Sequence, residues 1–243
     1  MMGRTHVLSG AVVWLAAAPA LSRGEWLGSQ RLLGLHTGSL STAQLAAGAV
    51  VSAGAALLPD IDHPSGRIAN TFGPVTHTMC KLIGRASGGH RHATHSILFA
   101  LAMGALMSTL AVHAEYAWWA ALFVLVGFGL RGLGLDFERQ GRLSSVIDCV
   151  VAGLAVFLMH DLDMSFAGYA VALGCLAHLA GDCLTPRGCP LLWPVGRRME
   201  IPLIPRTGGR AEERVVIPLL AVAAIALTAW TVSDGIPFSP LTG

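Results

Sequence analysis

The sequence contains little charge for its length, and this scarcity argues against a soluble protein. Of the 243 residues, 12% are charged and 53% are hydrophobic. A soluble domain of this size needs more charged side chains to cover its surface. The formal net charge is only +2 and no long basic run occurs, so a nucleic-acid partner is not indicated.

Cysteine is also scarce and irregularly spaced. The number of cysteines is odd and no Cys-x-x-Cys pair occurs among them: Cys80, Cys149, Cys175, Cys183 and Cys189. A disulfide framework needs an even set, and a thiolate zinc site needs closely paired cysteines. The sequence therefore favours neither.

Apolar stretches recur at about the length that crosses a bilayer. They lie at about 7–21, 43–58, 96–113, 116–135, 144–160, 165–182 and 214–232. Frequent glycines within these stretches are typical of helices that pack closely in lipid. The sequence predicts an all-α fold: a polytopic bundle of about six or seven transmembrane helices forming one integral membrane domain, residues 1–243. A short interfacial helix is expected near 75–86.

The distribution of Lys and Arg predicts the orientation. If each stretch crosses the membrane once, only Arg23 and Arg31 of the sixteen basic residues lie on the side opposite the N-terminus. Cytoplasmic loops carry the excess of Lys and Arg, so the N-terminus is predicted to be cytoplasmic. The run ending in Ala18-Pro19-Ala20 also fits a signal-peptide cleavage site, an alternative that would remove His6.

Histidine and aspartate are concentrated in four clusters, which the predicted topology places on this same cytoplasmic face. The clusters are Thr5-His6 with Gly10, Asp60-Ile61-Asp62-His63, His90-Arg91-His92-Ala93-Thr94-His95, and His178 with Asp182. His178 and Asp182 are four residues apart, so both point to one side of a helix. Thr5 and Thr94 each precede an apolar stretch and are predicted as helix N-caps.

Imidazole and carboxylate ligands without thiolate suit zinc, manganese or iron. The candidate metal ligands are His6, Asp60, Asp62, His95, His178 and Asp182, with His90 and His92 both open. A divalent metal would activate water for hydrolysis. Asp62 or His63 is the candidate general base. Arg91 is the candidate partner of an anionic substrate group.

The four clusters, in this order, resemble the YdjM-type family of bacterial inner-membrane, metal-dependent hydrolases. The matching stretches are Thr5-His6 with Gly10, Leu58 to Pro64, His90-Arg91 with Thr94-His95-Ser96, and His178-Asp182 with Thr185, Gly188 and Pro194. The resemblance implies a hydrolase domain over about residues 5–195, followed by a C-terminal loop and last span. It also implies that His90 is a ligand, because His92 lies at a variable position of the pattern.

The expected substrate is an ester or phosphoester, and a lipid-like molecule could approach from the inner leaflet of the bilayer. A metal transporter or metal sensor is the first alternative, and a structural or partner-binding membrane protein is the second. Transporters usually hold their ions near the bilayer midplane. Here the candidate ligands lie at the ends of the predicted helices, which favours an enzyme.

Overall fold

The structure is a computed structural model that describes residues 1–22, 40–134 and 142–233. The predicted loop positions Arg23, Arg31 and 136–141 lie outside these residues. Eight α-helices account for most of the described chain. They are α1 (Gly3–Ser22), α2 (Thr42–Ala55), α3 (Pro74–Ala86), α4 (Ile97–His113), α5 (Glu115–Leu133), α6 (Arg142–Met159), α7 (Ala167–Cys183) and α8 (Ile217–Ser233).

An α-helix occurs at each of the seven predicted apolar stretches, and α3 coincides with the expected interfacial helix. The all-α class is therefore confirmed. Three helical segments are long and apolar enough to cross a membrane by length and composition: Thr42–Asp62, Glu115–Leu133 and Glu212–Val232. The predicted six or seven crossings are not confirmed. The 17 residues of α4 and of α7 span about 26 Å each, less than the roughly 30 Å of a hydrocarbon core.

Helix α7 lies at the centre of the described bundle, packed against α1, α2 and α4. Small residues allow the helices to approach closely there. A Cβ added at Gly174 of α7 would lie 2.3 Å from the Ser52 carbonyl oxygen of α2. A Cβ at Gly48 would lie 2.2 Å from the ring of Trp14 in α1. Glycine is thus required by helix contact at these positions, as packing in lipid favours.

Helix α8 lies at the periphery and exposes apolar side chains. Only 6% of its apolar segment is buried inside the protein, compared with 61% for the segment that contains α2. A π-helical turn at Glu212–Val216 precedes α8, and the buried Glu212 fastens this turn to the start of the chain. Its Oε1 accepts hydrogen bonds from the Thr5 hydroxyl (2.6 Å) and the Met2 backbone N–H (2.7 Å).

Candidate metal centre

Four separate parts of the chain bring the predicted ligands together at one end of the bundle. His6 lies in the first turns of α1. Asp60 lies in a 3₁₀ turn (Leu58–Asp62) shortly after α2, with Pro59 as its second residue. His95 ends a second 3₁₀ turn (Ala93–His95) immediately before α4. His178 and Asp182 occupy successive turns near the end of α7, so their side chains face the same side.

The side chains of His95, His178, Asp60 and Asp182 form a closed ring of alternating nitrogen and oxygen atoms. His95 Nε2 lies 3.5 Å from Asp60 Oδ1 and 3.8 Å from Asp182 Oδ2. His178 Nε2 lies 3.8 Å from Asp60 Oδ1 and 3.6 Å from Asp182 Oδ2. Ligands that are about 2.0–2.2 Å from a tetrahedral zinc ion are roughly 3.3–3.6 Å from one another. The four nitrogen–oxygen distances around the ring, 3.5–3.8 Å, are therefore close to those between neighbouring ligands of a metal.

The tautomer of neutral His178 suits a metal. His178 Nδ1 lies 2.7 Å from the Ala56 carbonyl oxygen. A carbonyl oxygen can only accept a hydrogen bond, so Nδ1 must be the donor. The proton of neutral His178 is thus on Nδ1, and Nε2 presents a lone pair. A backbone carbonyl on the second nitrogen is the usual partner of a metal-binding histidine. Nε2 of both His95 and His178 is buried without a hydrogen-bond partner among the described residues. Such unpaired buried atoms are costly unless a ligand satisfies them.

His6 and His90 flank the ring on opposite sides. His6 Nε2 lies 3.4 Å from Asp182 Oδ1, and its ring stacks on His178 with centroids 3.8 Å apart. Two three-residue groups have ligand atoms close enough to share an ion: His6 with His178 and Asp182, and Asp60 with His90 and His95. Contacts between imidazole rings join the two groups. The described residues could therefore hold one or two ions.

Asp62 lies just outside the ring, and three hydrogen bonds engage its carboxylate. Its Oδ2 accepts from the Thr94 hydroxyl (2.6 Å) and from the Arg91 backbone N–H (3.1 Å). Its Oδ1 lies 2.8 Å from His90 Nδ1. The Thr94 hydroxyl also lies 3.1 Å from His95 Nδ1. Since this hydroxyl donates its one proton to Asp62, His95 Nδ1 must be the donor to it. Asp62 is therefore placed to orient both histidines.

The predicted catalytic residues Arg91 and His63 lie on either side of the ring. The Arg91 side chain is largely buried, and its Nη2 donates to Asp182 Oδ2 at 2.6 Å. Its Nη1 donates to the Gly188 carbonyl oxygen at 3.3 Å. His63 packs edge-on against His90, with ring centroids 4.5 Å apart, and its Nδ1 is buried without a hydrogen-bond partner among the described residues.

Charge at the ring alters the acidity of His95, which lies outside the helices. Burial disfavours the charged imidazole, but hydrogen bonds and the negative charge of Asp60 and Asp62 outweigh it and raise the pKa of His95 to about 9. Without a metal, a proton thus balances part of the carboxylate charge. A metal cation would replace that proton, as metal binding to histidine does in general.

The two threonines do not act as the predicted N-caps. The Thr94 hydroxyl bonds to Asp62, and the cap of α4 is Ser96, whose hydroxyl accepts from the Phe99 N–H at 3.1 Å. The Thr5 hydroxyl bonds to Glu212 instead. Neither threonine stands at the residue before a helix, because Thr5 lies inside α1 and Thr94 lies inside the 3₁₀ turn that precedes Ser96. Glu212 was not predicted as a site residue. Its sequence signal is an acidic residue directly before an apolar stretch.

A cavity of about 530 Å³ opens onto the ring. Residues of the centre line it, including His6, Asp60, His63 and Asp182. Two loop segments also line it, Thr185–Arg187 and Pro205–Thr207. The cavity gives a small molecule access to the carboxylate and imidazole atoms.

The fold and the site define an all-helical membrane protein with a buried His/Asp centre positioned to hold a metal ion. A family model described as "YdjM inner membrane protein" matches residues 1–141 and 144–235, and the chain belongs to this family. The match confirms the resemblance found in the sequence.

Two relatives carry the name "Inner membrane protein YdjM", one from Escherichia coli strain K12 and one from Shigella flexneri. Each is 29% identical to this chain over 164 residues. The matched region covers 67% of this chain and 58% of each relative, so it spans less than two thirds of the relatives' length. No solved structure matches the chain.

Proposed function

We propose that this protein is a membrane-bound, metal-dependent hydrolase that cleaves an ester or phosphoester at the cytoplasmic face of the inner membrane. The ring of four ligand atoms, with two buried nitrogens that have no hydrogen-bond partner in the described part of the chain, is the observation that supports this proposal. The cavity beside the ring gives the reaction a place to occur, because a catalytic metal site keeps a position open to water and substrate.

In this proposal His95, His178, Asp60 and Asp182 hold the ion. His6 and His90 complete its shell or hold a second ion. Mixed nitrogen and oxygen ligands suit zinc best, with manganese or iron as alternatives. When bound, a divalent metal lowers the pKa of water and polarises a phosphoryl or carbonyl oxygen. Asp62, predicted from sequence as a ligand, is proposed instead to position His90 and His95, because it lies outside the ring and its hydrogen bonds connect it to His90 and, through Thr94, to His95.

The proposed general base is His63. Asp62, the other sequence candidate, is committed to three hydrogen bonds, whereas His63 lines the cavity with an unpartnered Nδ1. The oxygen of a water molecule forms a bond to phosphorus or to the acyl carbon, and the bond to the ester oxygen breaks. One water proton passes to His63 and then to the departing oxygen, which leaves an alcohol and an acid. Arg91 holds Asp182 in place, since its guanidinium is already paired with that carboxylate.

The test combines metal analysis with hydrolysis assays on the purified full chain. We expect the wild type, expressed with ample zinc, to retain the metal and to hydrolyse phosphoester or ester probes. His178→Ala and Asp182→Ala should lose both properties. His113→Ala is the matched control, because His113 is an exposed histidine at the far end of α4. Equal metal content in the wild type and in His178→Ala would contradict the proposal.

The same protein in liposomes separates an enzyme from a transporter. The ligands lie near the ends of α1 and α7, whereas transporters usually bind ions at mid-membrane on broken helices. We therefore expect no zinc uptake by liposomes that contain the protein, under conditions where it hydrolyses its probe. Uptake that is lost in His178→Ala would favour transport instead.

A further inference from the structure

The cavity beside the metal ligands also carries positive charge. Two of its lining segments each contain an arginine, Arg187 in one and Arg206 in the other. Both arginines are exposed, and neither guanidinium has a hydrogen bond or ion pair within residues 1–22, 40–134 and 142–233. Arg91 and the Met1 ammonium group also line the cavity, but both are paired with Asp182, at 2.6 Å and 2.8 Å. The positive charge available to a ligand therefore belongs to Arg187 and Arg206.

The backbone that carries these arginines is held firmly against the end of α7. The Thr185 hydroxyl donates to the Asp182 carbonyl oxygen at 2.8 Å, and the Gly188 N–H donates to the Thr185 carbonyl oxygen at 3.1 Å. The second segment follows Ile204, whose N–H donates to the Leu184 carbonyl oxygen at 2.9 Å. Both arginines thus extend from backbone whose position is fixed relative to the metal ligand Asp182.

The chain segment that joins these arginines exposes several apolar side chains. They include Leu192 (59% exposed), Val195 (59%), Ile201 (61%) and Leu203 (70%). Apolar side chains in this segment would suit a substrate that combines an anionic group with hydrocarbon.

We propose that Arg187 and Arg206 bind the phosphoryl group of the substrate opposite the metal ligands, which makes the substrate class a phosphate ester. This inference rests on the proposed hydrolase function. The planar guanidinium group matches phosphate oxygens with two parallel N–H donors. Arg91, the sequence-based candidate for this role, is the less suitable residue because Asp182 already occupies it.

The experiment measures dissociation constants of two probes on zinc-loaded, detergent-purified full chain. The probes are inorganic phosphate and detergent micelles that contain phosphatidic acid, with phosphatidylcholine micelles as the blank. Arg187→Gln and Arg206→Gln should each weaken both probes about tenfold or more, because each removes a charge-assisted hydrogen bond. Arg197→Gln is the matched control, since Arg197 is an exposed arginine of the same region that does not line the cavity. It should bind like the wild type.

The source of the phosphoryl group follows from the wild-type constants. Phosphatidic acid bound more than tenfold tighter than phosphate supports a lipid substrate, and equal constants support a soluble phosphate ester. Phosphate binding unchanged in the Arg187→Gln, Arg206→Gln double variant overturns the inference. Metal content, measured on the same samples, reports the proposed function separately. Zinc retained with unchanged phosphate binding refutes only the arginine site, whereas zinc absent from the wild type refutes the metal centre.

Discussion

The two halves of the His/Asp centre differ in how the protein holds them. His6, His178 and Asp182 lie on α1 and α7, and their side chains are at most 1% exposed. Asp60 and His90 lie on a 3₁₀ turn and a loop, and their side chains are 30% and 31% exposed. Both halves line the cavity, the helix half through His6 and Asp182 and the loop half through Asp60 and His90. The helix half is more deeply buried, although His95, the third member of the loop half, is also fully buried.

This difference suggests a division of labour. Ligands on packed helices are held in one geometry by the surrounding core, which favours tight binding of an ion. Ligands on a loop remain accessible to water and substrate, and loops on a rigid scaffold are where reactive groups usually lie. If the comparison is correct, changes in the helix half should affect both metal binding and fold stability. Changes in the loop half should affect metal binding alone.

The largest effect is expected from Asp182→Asn. Asp182 contributes to the ring and also pairs with the buried Arg91 at 2.6 Å. Replacing it removes a ligand charge and leaves Arg91 without its anionic partner. Outer-shell changes already cost about 10–100-fold in metal affinity, so loss of this ligand should cost more than about 100-fold. Breaking a buried ion pair should also destabilise the fold, by up to about 3–5 kcal/mol.

Metal content by elemental analysis and thermal unfolding measure these two effects. Only protein that elutes as a folded species should be analysed, so that unfolding does not imitate metal loss. Asp161→Asn is the control, because Asp161 is a fully exposed acid in the loop between α6 and α7. Normal zinc content in folded Asp182→Asn would exclude Asp182 as a ligand.

Asp60→Asn should produce a smaller and more selective change. Within the ring, Asp60 contacts His95 and His178. It has no ion pair with an arginine or lysine among the described residues. We expect metal affinity to fall about 100-fold, with little change in the unfolding temperature because the side chain is partly exposed. Competition with a chelator gives the affinity. An unfolding temperature lowered as much as in Asp182→Asn would contradict the proposed difference between the halves.

Much of the fold could be predicted from the sequence, because apolar periodicity and length are local properties. Each apolar stretch became a helix, and the i, i+4 spacing of His178 and Asp182 correctly indicated one shared helix face. The number of crossings could not be predicted in the same way. A 17-residue helix such as α4 is apolar enough for lipid but short for a full bilayer, and its surroundings determine how it is accommodated.

The candidate site was predictable in membership but not in roles. The clustering of histidine and aspartate residues indicates a metal centre. The sequence does not show which carboxylate belongs to the ring of ligand atoms and which one bonds to a hydroxyl. Asp60 and Asp62 are two residues apart, and only the 3₁₀ turn places Asp60 in the ring and Asp62 behind His90. Arg91 adopts a positive φ of 61°, which turns its backbone N–H toward Asp62. Such tertiary contacts leave no periodic signal.

The acidity of His95 predicts how metal affinity depends on pH. The folded pKa of about 9 lies above the ordinary value of 6.5. In the metal-free protein, the stabilisation from charged His95 is therefore complete below about pH 6.5 and is lost as the pH rises through 9. A metal needs the neutral ring, so its affinity should rise about tenfold per pH unit from 7 to 9. Chelator competition across this range measures the slope, and a flat profile would contradict a role for His95 as a ligand.

Thr94→Val should produce the smallest effect, because it removes only the hydroxyl that links Asp62 to His95. The hydroxyl lies 2.6 Å from Asp62 Oδ2 and 3.1 Å from His95 Nδ1, so valine leaves both without this partner. We expect about a tenfold loss of metal affinity, at the low end for residues that orient a ligand. Thr94→Ser keeps the hydroxyl and should bind metal like the wild type. A loss in Thr94→Val with normal affinity in Thr94→Ser would assign the effect to the hydroxyl that links Asp62 to His95. An equal loss in both variants would contradict that assignment, because serine keeps the hydroxyl.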